Sequence, residues 1–238
     1  MAEQINFRVG ATLENALSSL FSRFGTYMGL GLLIYFPLFL LMLWAGEPEG
    51  PEEDLTFGEA IVAILFMSIP HAFSAAACSV GVYAEAQGRR MLMGDIAQRG
   101  AQVFFPYYFA TALVTLASMF GFVLLIIPGL FVMALFTFMG PAIAIERSGF
   151  FGGIDRTLEL ARGSLLRLVL LAIIYLLIAF VILSPQEIAG DAGEPISSVG
   201  IYLTFAALSV FSGLLGGAAY SEILRARGEQ LPASVSDV

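Results

Sequence analysis

The stretch Gly121–Arg167, GFVLLIIPGLFVMALFTFMGPAIAIERSGFFGGIDRTLELARGSLLR, decides the fold. An apolar run reaches a Pro-Gly pair at Pro128 and Gly129, and a second run stops at Glu146-Arg147. A short amphipathic segment then lies between Ile154 and Arg167 before apolar residues resume. Adjacent Pro and Gly mark a turn. Two membrane passes joined at Pro128-Gly129, followed by a helix lying along the surface, satisfy this pattern. A hairpin that re-enters around Pro128 is the alternative.

Composition extends the reading outward. The chain of 238 residues is 58% hydrophobic and 13% charged, with a mean hydropathy of +0.87. Soluble domains carry about a quarter charged residues, so this chain lacks the polar material to cover a water-facing surface. Lipid must cover it. The net charge of -8 comes with no basic stripe, which argues against a nucleic-acid partner. The single Cys78 lies in an apolar run and has no partner for a disulfide within the chain. The first apolar run follows a long amphipathic segment without a small-residue cleavage site, and reads as a retained span and not a signal.

A spanning helix needs ~20 mostly apolar residues. Spans are expected near residues 26–45, 59–85, 103–127, 130–146, 165–184 and 198–221. The result is an all-α, polytopic bundle of six transmembrane helices in one integral domain over residues 1–228, with a short polar tail at 229–238. All eleven basic residues are arginines. They fall before the first span, between the second and third, between the fourth and fifth, and after the sixth. The alternate connections are acidic, with Glu47, Glu49, Glu52, Glu53 and Asp54 in one and Glu187, Asp191 and Glu194 in the other. Positive residues are retained inside during insertion. Both termini are therefore expected in the cytoplasm, in a bacterial inner membrane.

Amphipathic segments precede the odd-numbered spans: 7–24, the weaker Met91 to Gln102, and Ile154 to Leu165. Such a helix lies in the membrane interface or packs as a lead-in against the bundle. The even spans end similarly, in YAEAQGRR at Glu85, AIERSG at Glu146 and YSEILRARG at Glu222. This pattern suggests a threefold pseudo-repeat of helical hairpins.

Candidate polar residues follow from it. Glu85, Glu146 and Glu222 stand at the membrane boundary beside Arg89, Arg147 and Arg225. Ionisable groups facing a bundle interior mark ion or substrate paths, whereas at headgroup depth they form surface ion pairs. His71, after Pro70, is the only histidine. A proton relay is one reading, and a hydrogen-bonded imidazole in a kinked span is favoured. Ser209, Gly213 and Gly217, and Gly25 with Gly29, permit close helix packing, within the chain in preference to between copies. No nucleophile elbow, phosphate loop or metal-binding pattern occurs, so neither catalysis nor a metal nor a cofactor is expected.

The residues Ile127, Pro128, Gly129, Pro141, Glu146, Gly163 and Arg167 carry a resemblance. Over Gly121 to Leu177 the chain resembles the YciC-like uncharacterised bacterial membrane proteins and the membrane domain attached to some glycerophosphodiester phosphodiesterases. It departs from their pattern at Gly153-Ile154, where Ala-Leu would stand. The resemblance implies a multi-spanning membrane protein and carries over no catalytic residue. Two functions are expected. The first is a non-enzymatic accessory, assembly or scaffold component of a larger membrane complex, in contact with lipids. The second is a transporter or lipid-handling protein with a polar path near the cytoplasmic interface.

Overall fold

Small residues in two apolar runs bring two long helices into backbone contact, and the other helices are arranged around that seam. The computed structural model describes residues 7–45, 56–188 and 194–229. Among the described residues there are nine α-helices and no strands. They are α1 Val9–Ser22, α2 Phe24–Ala45, α3 Phe57–Ala86, α4 Met93–Leu124, α5 Ile126–Leu135, α6 Met139–Glu146, α7 Gly149–Ala161, α8 Leu165–Ile188 and α9 Glu194–Ala226. The six long apolar units are α2, α3, α4, the α5–α6 pair, α8 and α9. This is a helical membrane bundle.

The seam joins α3 and α9. A Cβ at Gly213 would meet the Ala75 carbonyl oxygen at 2.5 Å, and one at Gly217 would meet the Ser79 carbonyl oxygen at 2.6 Å. The Ser79 hydroxyl donates to the Gly213 carbonyl at 2.9 Å. Without water competing, close packing and such hydrogen bonds hold helices together. The Ser209–Gly213–Gly217 stripe is thus an internal contact, as expected from its spacing. Gly25 and Gly29 are not: a Cβ there would meet nothing. Gly31 supplies the close approach of α2 instead, against Val210 at 2.6 Å and the Ala206 carbonyl at 3.3 Å. Spacing alone could not tell which face of α2 turns inward, because α2 is apolar all round.

Two boundaries shift from the sequence reading. The segment from Met93 to Gln102 is no separate surface helix but the first part of α4. Ile96, Arg99, Gly100, Val103, Tyr107 and Ala110 form one continuous buried stripe along it, so the helical register runs unbroken from the polar end into the span. The turn expected at Pro128-Gly129 lies three residues earlier, at Leu125, whose extended backbone (φ -164, ψ 142) ends α4. Pro128 sits in the first turn of α5, where its missing N–H costs no helical bond. Gly121 and Gly129 then face each other, with a Cβ at Gly121 only 2.8 Å from the Gly129 Cα. The returning unit, Ile126–Glu146, passes through a 3₁₀ turn at Phe136–Phe138. Its 21 residues rise about 31 Å at 1.5 Å each, close to the hydrocarbon thickness.

α1 and α7 are separate amphipathic helices, and each packs as a lead-in against the bundle. Thr12, Ala16 and Ser19 of α1 face the bundle, while Leu17, Phe21 and Phe24 are exposed beside it. Gly153, Thr157, Leu160 and Ala161 of α7 are buried, while Phe151 and Leu158 are exposed. The expected apolar faces are split: part of each docks on the bundle, Leu160 included, and part is left exposed. The hairpin repeat is therefore clear in the first and third units and blurred in the second. The acidic connection 46–55, Asp191 and the tail beyond 229 lie outside the described residues.

Candidate functional site

Two of the three boundary glutamates build the same small device. Glu85, at the end of α3, accepts on one carboxylate oxygen from Arg23 (Nη1, 3.0 Å) and from the Tyr27 hydroxyl (2.9 Å). Glu146, at the end of α6, accepts on one oxygen from Arg156 (Nε, 3.0 Å) and from the Tyr220 hydroxyl. Each carboxylate is thereby tied to a tyrosine on a spanning helix and to an arginine on or beside an amphipathic helix. Charge-assisted bonds of this kind are the stronger class.

These partners differ from the neighbours expected from the sequence. Arg89 lies beyond Gly88, whose positive φ of 77° reverses the chain at the end of α3. Arg147 is itself left-handed (φ 54°) and reaches the Gln102 side chain at 3.3 Å. Arg225 donates to the Ala86 carbonyl. Glu222 is not at a helix end, since α9 continues to Ala226, and has no ion pair among the described residues. Residues adjacent in sequence diverge where a helix terminates, so a distant arginine takes each place.

Around Glu146 the network closes. Arg156 also pairs with Glu159 (2.9 Å) and Glu229, and Arg227 lies 3.8 and 3.7 Å from those same two carboxylates. Burial opposes the Arg156 charge, but its bonds to Glu229 and Glu159 more than offset this and hold its pKa above the usual arginine range. An Arg227 guanidinium nitrogen donates to the Glu159 carbonyl at 2.6 Å, capping the end of α7. This knot ties α6, α7 and α9 together.

A second feature is a half-open pocket among the helices, separate from these networks. It measures about 740 Å³ and lies between α3, α4, α5–α6, α8 and α9. Ligand pockets span roughly 300–1,000 Å³. Tyr107, Thr111, Thr115 and Ser118 of α4 line it, joined by Thr137 and His71. The lining includes no Asp, Glu or Arg among the described residues. The Ser118 hydroxyl is buried on the cavity wall without a hydrogen-bond partner. His71 likewise has no hydrogen-bond partner among the described residues, contrary to the hydrogen-bonded imidazole favoured from the sequence. It sits midway along α3, one residue beyond Pro70, where the missing N–H removes a rung of the helix. An unpaired buried hydroxyl costs about 1–3 kcal/mol.

The sequence did hold a signal for this wall. Tyr107, Thr111, Thr115 and Ser118 recur at spacings of four, four and three, one helical face of hydroxyls in an apolar span. Tyr27 and Tyr220 had no local signal, because their partners lie 58 and 74 residues away.

Fold and site together define a multi-pass helical membrane protein with a half-open pocket lined by no Asp, Glu or Arg among the described residues. Residues 110–221 match the family described as Domain of unknown function (DUF7847), slightly under half of the chain. That stretch holds every cavity-lining residue except His71 and Tyr107. No curated protein matches the chain. No solved structure matches it either.

Proposed function

We propose that this is a non-enzymatic lipid-handling protein that holds a neutral amphiphile in the cavity between α4, α5–α6 and α8. The observation that carries the reading is the lining: Thr111, Thr115 and Thr137 stand with His71 on the wall of a cavity of about 740 Å³ that holds no Asp, Glu or Arg among the described residues. The guest class follows from the lining. Methionine and leucine side chains suit an apolar chain or ring, and hydroxyls with one imidazole suit a carbonyl or hydroxyl on it. A charged guest would find no counter-ion there. Glu85 and Glu146 are bound in their own networks, and neither they nor Glu222 line this cavity.

The membrane is proposed to be a bacterial cytoplasmic membrane, with the arginine-bearing end inside. Support comes from the one-sided arginines: Arg23, Arg156, Arg167, Arg225 and Arg227 all bond at the end where Phe7 and Glu229 lie. Cysteines placed at position 50 and at the exposed position 162 should be labelled from opposite sides, and labelling from one side would overturn the orientation.

The cavity reading is tested with a photoactivatable neutral lipid, such as a diazirine-bearing monoacylglycerol. Crosslinks should map to Thr111–Phe122 and to residues near His71, and excess unlabelled lipid should suppress them. Crosslinks scattered over the outer faces of α2 and α8 would contradict it.

An accessory role in a larger complex is the second reading. It is favoured by the α4–α5 tip, where Val123 to Ile127 are five consecutive residues at least 66% exposed. An apolar tip of this kind needs cover if it reaches water. Substituting Leu124 and Ile126 by Ser should release a partner that co-purifies in mild detergent, and a chain that elutes alone before and after would remove this reading.

A further inference from the structure

The network around Glu85, unlike that around Glu146, does not close. Arg23 spends one guanidinium nitrogen on Glu85 and another on the Met91 carbonyl at 2.6 Å. Beside them opens a pocket of about 550 Å³ between α1, α3 and α9, lined also by Arg89, Arg90, Arg225 and Ser18. Four guanidinium groups share this pocket with a single carboxylate. Arg89 and Arg90 have no ion-pair partner among the described residues. Their backbone is nevertheless fixed: the Gly88 N–H donates to the Glu85 carbonyl at 2.8 Å and the Arg89 N–H to the Ala84 carbonyl at 2.9 Å. This capping turn carries two consecutive arginines to the pocket mouth. In a chain of net charge -8, such a local excess of positive charge favours an anion in the pocket.

The depth of the pocket identifies the anion's carrier. Leu17, Phe21 and Phe24 are exposed on the α1 side, and Leu92 is exposed just after the arginine pair. Large apolar side chains so placed lie among acyl chains, which puts the pocket at headgroup level. We propose that this pocket binds the phosphate of an anionic phospholipid, with Arg89, Arg90 and Arg225 on the phosphate and Ser18 on the glycerol oxygens. Basic pockets between spanning helices take lipid headgroups in this way, and arginine's fork fits two phosphate oxygens at once. The site is separate from the cavity: its ligand is charged, and it stands or falls without the neutral amphiphile.

The test uses the whole chain in zwitterionic detergent, with phosphatidylglycerol, phosphatidylcholine and inorganic phosphate as probes. Two double variants remove the same charge: Arg89→Gln with Arg90→Gln in the pocket, and Arg8→Gln with Arg162→Gln outside it. All four arginines are exposed, so folding should survive, and equal melting temperatures would verify it. The pocket double should weaken phosphatidylglycerol binding about tenfold or more, as loss of ~1.4 kcal/mol implies. The control double should change it less than about twofold, and phosphatidylcholine should bind weakly throughout. Equal losses in both doubles would reduce the effect to general surface charge and overturn the site. Tight binding of inorganic phosphate with no preference for phosphatidylglycerol would give the pocket to a soluble anion and overturn the lipid assignment.

Discussion

The knots at Glu85 and Glu146 use one design for two ends. In each, a single carboxylate oxygen accepts from a tyrosine and an arginine. Burial does not separate them, since the glutamates are 15% and 20% exposed and both arginines 18%. What differs is the company. Arg156 meets two further carboxylates and is backed by Arg227, while Arg23 looks onto three more arginines. A paired cluster becomes a fastener, and the same motif with surplus positive charge becomes a receptor. Charge balance around the shared core decides which.

Both knots hang on the α3–α9 seam, so the largest effect should come from prising it open. Gly217→Leu forces a side chain into the Ser79 carbonyl and Val82. It should destabilise the bundle by on the order of 3 kcal/mol or more, read as loss of a cooperative melt in detergent. A melt within a degree or two of the native one would mean that the seam is not the axis of the fold.

Next comes the closed knot. Arg156→Ala strands Glu146, Glu159 and Glu229 with only Arg227 nearby. We expect a loss of about 2–3 kcal/mol, below the range for fully buried pairs because these groups are partly exposed. Glu85→Gln should cost less, about 1 kcal/mol, since the amide oxygen can still accept from Tyr27. It should also tighten anion binding next door. If the two substitutions cost the same, the contrast between fastener and receptor is wrong.

The smallest effect belongs to the opposite end. There Thr56 and Glu59 form a capping box at the start of α3. The Thr56 hydroxyl and N–H hold the Glu59 carboxyl below its ordinary pKa of 4.5. A depressed folded pKa contributes stability above the unfolded value, which is lost as pH falls through the lower, folded one. Thr56→Val should therefore melt slightly below the native chain at pH 7, and the gap should narrow in strong acid to the part due to the lost cap on the Glu59 N–H. A gap that does not narrow would show that the carboxylate contributes nothing.

How far the sequence reached can be judged from particular residues. The six spans were legible because hydropathy over ~20 residues is a summed property that tolerates local error. Half of the α3–α9 seam was legible too, since Ser209, Gly213 and Gly217 repeat at helical spacing, but that α3 meets them was not. The turn at Leu125 was not: Pro-Gly marks both a turn and the first turn of a helix, and only tertiary contact between Gly121 and Gly129 selects one. Glu85, Glu146 and Glu222 were singled out for their position, but their partners depend on how helices end and on which amphipathic helix folds back. The cavity was visible only in part. The hydroxyl stripe of α4 is local, while its empty space is set by five elements that meet far apart in the chain.

The account turns on whether the cavity holds a guest. Denaturing extraction of the purified chain, with quantification of neutral lipids per polypeptide, asks this directly. Native protein should release about one neutral amphiphile per chain, as a single pocket of this size admits. A cavity-filling double variant, Thr115→Leu with Ser118→Leu, should keep the native melt and release far less. Equal amounts from both proteins, or none from either, would contradict the account.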